Sequence, residues 1–237
     1  MKFAVISDVH GNLHALDAVL DDIASQGVDA TLSLGDFLSG PFDPVGVANR
    51  LIELDFPSVR GNHDRYIADG REDDWHIDAL VRSQLEPRHF DWLRSIPATA
   101  VWADTVLLSH GTPRDDNGAW LDGMVNDHAV LLTPEHIEAE AAGFSQSVLL
   151  CGHTHVARHV KLGDGRIIVN PGSVGLPFDS GSPDAHYAIV EKRRVGWTVS
   201  LKSVPYDNAA AAALALEAGF PKWAEVVTSG WLKPREL

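Results

Sequence analysis

Six times in this 237-residue chain a short run of apolar, largely β-branched residues ends in a cluster of polar residues and glycine. Phe3-Ala4-Val5-Ile6 leads to Asp8-Val9-His10, Thr31-Leu32-Ser33-Leu34 to Gly35-Asp36, and Ser58-Val59-Arg60 to Gly61-Asn62-His63-Asp64. Val106-Leu107-Leu108-Ser109 leads to His110-Gly111, Val148-Leu149-Leu150-Cys151 to Gly152-His153-Thr154-His155, and Ile167-Ile168-Val169 to Asn170-Pro171-Gly172-Ser173. Continuous apolar runs this short fit strands buried on both faces. In such sheets functional groups collect just beyond the carboxyl ends of the strands, where the loops share one rim.

Helical patterns lie between the early strands. Leu13, Leu16, Leu20 and Ile23 recur at spacings of three and four, and Gly27 is placed to stop that helix. Asp43-Pro44 reads as an N-cap with proline in the first turn, followed by the stripe Val47, Leu51 and Leu54. Thr133-Pro134 repeats the signal and Gly143 ends that helix. Strand alternating with helix predicts an α/β fold, a sheet covered on both sides with parallel strands at least at its start. Ala188-Ile189-Val190 and residues 197–201 read as a hairpin, and the alanine-rich stretch 209–215 as a helix. Residues 65–100 break the rhythm. Ile77, Leu80 and Val81 suggest one short helix, and Phe90, Trp92 and Leu93 after Pro87 another. This stretch is too short for its own core, so it reads as a helical insertion over the sheet within a single domain, 1–237.

Charge narrows the function. Nineteen basic against 33 acidic residues give a net −14, which repels a phosphate backbone at long range and argues against extended nucleic-acid binding. The lone cysteine, Cys151, precludes an internal disulfide and fits a reducing cytoplasm. Met1-Lys2 opens directly onto a four-residue apolar run and then Asp8, too short for a signal peptide. The longest apolar stretch, 209–216, falls far below the roughly 20 residues of a membrane span. A soluble, cytoplasmic protein without a membrane partner is the expectation.

Of the 12 histidines, five sit at the strand ends. These ends deliver Asp8 and His10, Asp36, Asn62 and His63, His110, and His153 and His155, all of metal-ligand types. In extended chain, residues two apart point to one side, so Asp8/His10 and His153/His155 can each present two ligands to one place. Adjacent glycines (Gly11, Gly35, Gly61, Gly111, Gly152) suit backbone that turns sharply or approaches an ion closely.

On the blocks Asp8-Val9-His10-Gly11-Asn12, Gly35-Asp36, Gly61-Asn62-His63-Asp64, His110-Gly111 and Gly152-His153-Thr154-His155, in that order, the chain resembles the calcineurin-like metallophosphoesterase superfamily. Asn170 to Gly175 resembles its small bacterial and archaeal phosphodiesterase branch, and the likeness spans roughly residues 1–190. The resemblance implies a four-layer αββα sandwich and a dinuclear metal centre. Asp8, His10, Asp36 and His155 would hold one ion and Asn62, His110, His153 and again Asp36 the other. Two ions about 3.5–4 Å apart suit in-line displacement at phosphorus. Two divalent cations less two carboxylates leave the site at about +2, attractive to a phosphate ester inside an acidic protein. Manganese is favoured, with iron, nickel, cobalt, zinc or magnesium accommodated by the same donors.

The mechanism implied is attack by metal-bound hydroxide, with His63 protonating the departing oxygen and Asp64 or Asp36 orienting its imidazole. The leading function is a phosphodiesterase acting on a small-molecule phosphate ester. The same centre would serve a phosphomonoesterase, a nucleotidase or a dinucleoside polyphosphate hydrolase. A catalytically silent protein-binding scaffold is the reading from another class, disfavoured by the full ligand set. A homo-oligomer is left open.

The remaining candidates have plainer readings. Asn12 caps the helix beginning at Leu13, and Cys151 is a packed thiol. Trp75, Trp92, Trp102 and Trp120 pack the insertion onto the sheet, with a platform for a substrate ring as the alternative. Asp73-Asp74 and Asp115-Asp116 are solvated loop charges. Among the other histidines only His128 and His186 merit testing for substrate contact. Phe178 follows Leu176-Pro177 where relatives often place an arginine before an aspartate, so an aromatic stands ready to stack on a substrate in place of that contact.

Overall fold

The computed structural model describes residues 1–70, 76–126, 128–178 and 181–231. Along the chain run β1 (Lys2–Ile6), α1 (Leu13–Ser25), β2 (Ala30–Ser33), α2 (Pro44–Leu54), α3 (Asn62–Asp69), α4 (His76–Gln84), α5 (Pro87–Ser95), β3 (Thr99–Trp102) and β4 (Val106–Ser109). There follow β5 (Asp122–Val125), β6 (His128–Leu131), α6 (Pro134–Ala141), β7 (Val148–Leu150), β8 (Arg158–Lys161), β9 (Ile167–Asn170), β10 (Ala185–Arg193), β11 (Gly196–Val204), α7 (Asn208–Glu217) and α8 (Pro221–Ser229). Asn12, Asp43 and Thr133 cap α1, α2 and α6, each accepting from a backbone N–H three residues on.

Two sheets stack face to face. One has the order β11-β10-β1-β2 and the other β3-β4-β7-β9-β8. β1 and β2 are parallel, as are β4, β7 and β9; antiparallel strands close every edge but that of β2. The two-residue period of a strand sorts the side chains into layers. Phe3 and Val5 join Val106, Leu108, Val148, Leu150, Ile167 and Val169 in a core between the sheets. Ala4 and Ile6 face the other way, toward α1 and α2. Leu107, Leu149 and Ile168 face outward to Ile137 and Ala141 of α6 and to Trp120. Helix, sheet, sheet and helix follow in turn, the four-layer sandwich anticipated from the motifs.

Three local expectations change. The run 58–60 forms no strand; only an isolated bridge joins Ser33 to Ser58, because the chain turns into α3 at Asn62. The insertion therefore begins at the ligand block itself, with a helix that the apolar pattern did not announce. Its helices extend the helical layer rather than lie on bare sheet: Ile67, Val81 and Leu93 share one cluster with Leu16 and Val47, and Trp92 packs on Phe37 at 5.3 Å between ring centroids. Asp116 is not a free loop charge, since both its oxygens take 2.7 Å hydrogen bonds from Arg65 of α3. Of the tryptophans expected to pack the insertion, Trp92 does so, whereas Trp102 meets Phe3 at 5.2 Å in the inter-sheet core and the buried Trp120 packs toward α6. Trp75 and the Asp73-Asp74 pair lie outside the described residues. Among the described residues no helix is long and apolar enough to cross a membrane.

The inter-sheet core predicts the stability response. Leu108 is 0% exposed there, whereas Val195, in the β10–β11 turn, is 85% exposed. Leu108→Ala is expected to cost about 2–5 kcal/mol in urea unfolding, and Val195→Ala less than about 0.5 kcal/mol. Equal losses would contradict this assignment of the core.

Candidate metal centre

The loops that leave β1, β2 and β9 are laced together by main-chain hydrogen bonds. Asp8 N–H donates to Gly35 O, His10 N–H to Asp36 O and Gly11 N–H to Phe37 O, at 2.8–3.0 Å. Val174 and Gly175 donate to Ser7 and Asp8 carbonyls at 3.0 Å, and Ser173 Oγ donates to Asp8 O at 2.7 Å. Asn170 Nδ2 reaches Gly152 O (2.8 Å) and Thr154 Oγ1 (3.0 Å), so the Asn-Pro-Gly-Ser turn fastens two ligand loops.

This lattice holds an unusual backbone. Asp8, His10, Asp36, His153 and His155 all have φ between +49° and +65°, the left-handed region. Such residues cost about 1–3 kcal/mol each, a large sum beside the roughly 5–15 kcal/mol stability of a domain. The side chains are thereby turned inward at the strand ends. Two glycines make room. A Cβ on Gly61 would stand 2.1 Å from Asp36 Oδ1, and one on Gly152 2.0 Å from Ser7 Oγ and 2.8 Å from Asp8 Oδ2.

The candidate ligands fall into two clusters. In the first, Asp8, His10 and His155 bring donor atoms within 4.8 Å of one another, with His10 Nε2 and His155 Nε2 3.1 Å apart and Asp8 Oδ1 3.3 Å from His155 Nε2. In the second, Asp36, His110 and His153 do the same. His110 Nε2 lies 3.1 Å from Asp36 Oδ2 and 3.0 Å from Asn62 Oδ1, and His153 Nδ1 lies 3.1 Å from that same Asn62 oxygen.

Hydrogen-bond partners reveal which nitrogens carry protons. His10, His110 and His155 each direct Nδ1 at a backbone carbonyl, Ser39 O (2.6 Å), Leu34 O (2.7 Å) and Leu176 O (2.6 Å). A carbonyl only accepts, so each Nδ1 bears the hydrogen and a neutral ring turns its Nε2 lone pair inward. The first cluster thus brings Nε2 of His10 and of His155 to face the Asp8 carboxylate, whose Oδ1 is buried without a hydrogen-bond partner. Buried acceptors arranged this way are satisfied by a cation.

Electrostatics divide the groups in the same sense. Burial pushes His10 and His153 down to about 4, so both rings are neutral. Burial would raise both carboxylates, but His155 and His110 hold Asp8 below the ordinary range, and His110 and His63 hold Asp36 well below it. Burial would lower His110, yet Asp36 and Asp8 outweigh it and raise this ring to about 10. Without a cation, His110 takes up a proton in the carboxylates' favour.

His63 lines the same cavity, but neither carboxylate expected to orient it does so through its ring. Asp64 accepts from the backbone N–H groups of Asp36 (2.7 Å), Phe37 (2.9 Å) and Gly61 (3.0 Å), and Asp36 Oδ1 accepts from the His63 main-chain N–H at 2.9 Å. The ring is held by Asp78 of α4, with Nδ1 3.1 Å from Asp78 Oδ2 and 3.2 Å from Ser39 Oγ. Ser39 Oγ also donates to Asp78 Oδ1. Sequence reasoning missed Asp78, whose only signal was an acidic residue in an otherwise apolar helix stripe. Burial lowers the affinity of His63 for a proton, but Asp36 and Asp78 outweigh it and leave its pKa raised.

The lesser candidates separate cleanly. Cys151 is a buried thiol whose pKa burial pushes up, far from reactive. Phe178 packs on the His155 ring, with centroids 4.1 Å apart and planes at 33°. Neither the exposed His128 nor His186 is among the residues lining the cavity.

Comparison with known proteins follows the same lines. Residues 1–194 match the calcineurin-like phosphoesterase superfamily domain. A metallophosphoesterase structure from Sphaerobacter thermophilus superposes with a TM-score of 0.79 at 29% identity, covering 97% of this chain and 100% of that one. The phosphodiesterase YfcE of Escherichia coli (strain K12) is 29% identical over 201 residues, 81% of this chain and 88% of the relative. An uncharacterized protein of Methanocaldococcus jannaschii, MJ0912, is 26% identical over 244 residues, 93% of this chain and 94% of the relative. The chain belongs to the calcineurin-like phosphoesterase superfamily.

Proposed function

We propose that this phosphoester hydrolase is a metal-dependent phosphodiesterase in which Asp8, His10, His155 and Asp36 hold one divalent cation and Asn62, His110, His153 and Asp36 a second. The observation that carries the reading is the first cluster, where the Nε2 atoms of His10 and His155 stand 3.1 Å apart and converge with a buried carboxylate oxygen of Asp8 that has no hydrogen-bond partner. Bound there, a cation pair would supply Lewis acidity toward the phosphoryl group and a nucleophile at neutral pH. Manganese suits the mixed imidazole, carboxylate and amide donors. The name of the Escherichia coli relative supports a diester over a monoester substrate.

The chain's own contribution to bond cleavage is a proton. With Nδ1 held by Asp78, Nε2 is the nitrogen through which His63 would protonate the departing ester oxygen. Asp36 and Asp78 raise its affinity for that proton above that of a free imidazole. Asp78 and Ser39 fix the ring plane, and the Ser39 carbonyl fixes His10, so one loop sets both a candidate ligand and the candidate acid.

Chelator-stripped protein given back single metals is expected to hydrolyse bis-p-nitrophenyl phosphate, with manganese most effective, and p-nitrophenyl phosphate more slowly. His63→Ala should bind the same two equivalents of metal and lose about 10²- to 10⁴-fold in kcat. Absence of turnover on every phosphate ester with every metal would overturn the reading, and near-normal turnover by His63→Ala would remove the acid from it.

Metal affinity carries a signed pH dependence. His110, raised to about 10, must lose its proton before Nε2 can ligate. The deprotonated fraction grows tenfold per pH unit below that value, so manganese affinity should rise about tenfold per unit between pH 6.5 and 8.5. Calorimetric titration should also register release of about one proton per centre filled. A flat affinity profile would contradict the assignment of His110.

A further inference from the structure

Opposite the histidines, the cleft is walled by carbon. His10, Asp36, His63, His153 and His155 open into a cavity of about 290 Å³, at the small end of the roughly 300–1,000 Å³ typical of ligand pockets. Its far wall is assembled from separate parts of the chain: Met124 and Ala129 of the β5–β6 ribbon, Val156, Leu176 and Phe178 in loops, and Trp223 of α8. The ribbon pairs with neither large sheet, and Met124 stands 48% exposed. Apolar wall and metal cluster touch. Phe178 lies on the His155 ring at 4.1 Å, and the Trp223 ring is 6.2 Å from His10.

No lysine or arginine lines this cavity among the described residues. Its one acidic residue beyond the cluster, Asp122, is tied to Arg158 by a 2.7 Å hydrogen bond. A single phosphate would find its counter-charge in the metal pair. A polyphosphate chain would carry further negative charge into a space that offers no side-chain cation, within a chain of net charge −14. A dinucleoside polyphosphate would have to extend beyond a cavity of this size.

We propose that this wall is a subsite for the non-reacting ester group, and that the substrate is a diester of one phosphate carrying an aryl or compact apolar substituent. The inference rests on the phosphodiesterase reading and adds the substrate class. It separates that reading from dinucleoside polyphosphate hydrolysis, which the metal donors alone do not.

Methyl p-nitrophenyl phosphate and phenyl p-nitrophenyl phosphate share one leaving group and differ only in the group assigned to the wall. With the manganese-loaded protein, kcat/KM divided by the uncatalysed rate should favour the phenyl ester about tenfold to a hundredfold, the gain expected from burying a phenyl-sized surface. Met124→Ser and Val156→Thr should each reduce that preference by about threefold or more, and the exposure of Met124 keeps its change compatible with folding. In calorimetry, phenylphosphonate should outbind methylphosphonate by a similar factor. Diadenosine tetraphosphate, supplied as its manganese complex, should be the poorer substrate. Equal rates for the two diesters, a preference unchanged in both variants, or faster cleavage of diadenosine tetraphosphate would overturn the subsite. Phenylphosphonate preference without turnover of any ester would keep the subsite and sink the phosphodiesterase reading.

Discussion

Everything at the rim of this sandwich answers to one electrostatic demand. Two carboxylates, four imidazoles and an amide oxygen are gathered out of water, and in the first cluster Asp8 Oδ1 is buried without a hydrogen-bond partner beside two imidazole nitrogens. Repulsion among buried acceptors is expensive, and their arrangement becomes favourable once positive charge stands between them. In the second cluster a proton on His110 can fill part of that need, which is why this ring alone among the ligand candidates has a strongly raised proton affinity while His10 and His153 are lowered. Protons and cations compete for the same negative charge.

The fold bears the strain that this gathering requires. Five of the ligand candidates adopt left-handed backbone, and none is stabilised by its own conformation. They are held because β1, β2, β4, β7 and β9 end on one rim above a dry inter-sheet core, and because main-chain hydrogen bonds continue past the strand ends. Asp64 belongs to this scaffold. Its carboxylate collects three backbone N–H groups around Asp36 and so braces a ligand candidate of the second cluster.

Much of this was legible in the sequence because strand-end chemistry is local. An apolar run of four and the polar block after it fix both a strand and the rim position of its ligands, as at Asp8 and His10 or His153 and His155. Caps were equally legible at Asn12, Asp43 and Thr133, since capping depends on a residue and the three after it. What stayed hidden depends on long-range contact. Asp78 looks like an ordinary helix residue until α4 folds against the Ser39 loop, 39 positions away in sequence. The β5–β6 ribbon has no strong alternation, and Met124 gains meaning only from the cavity it borders. The run 58–60 misled for the opposite reason: its apolar pattern is local, but the turn into α3 at Asn62 ends it before a ladder can form.

The account stands or falls on whether two cations share Asp36. Anomalous diffraction from crystals soaked in manganese measures this directly. Two peaks are predicted, one enclosed by Asp8, His10 and His155 and the other by Asn62, His110 and His153, with the Asp36 carboxylate between them. A single peak away from Asp36, or none at either cluster, would contradict it.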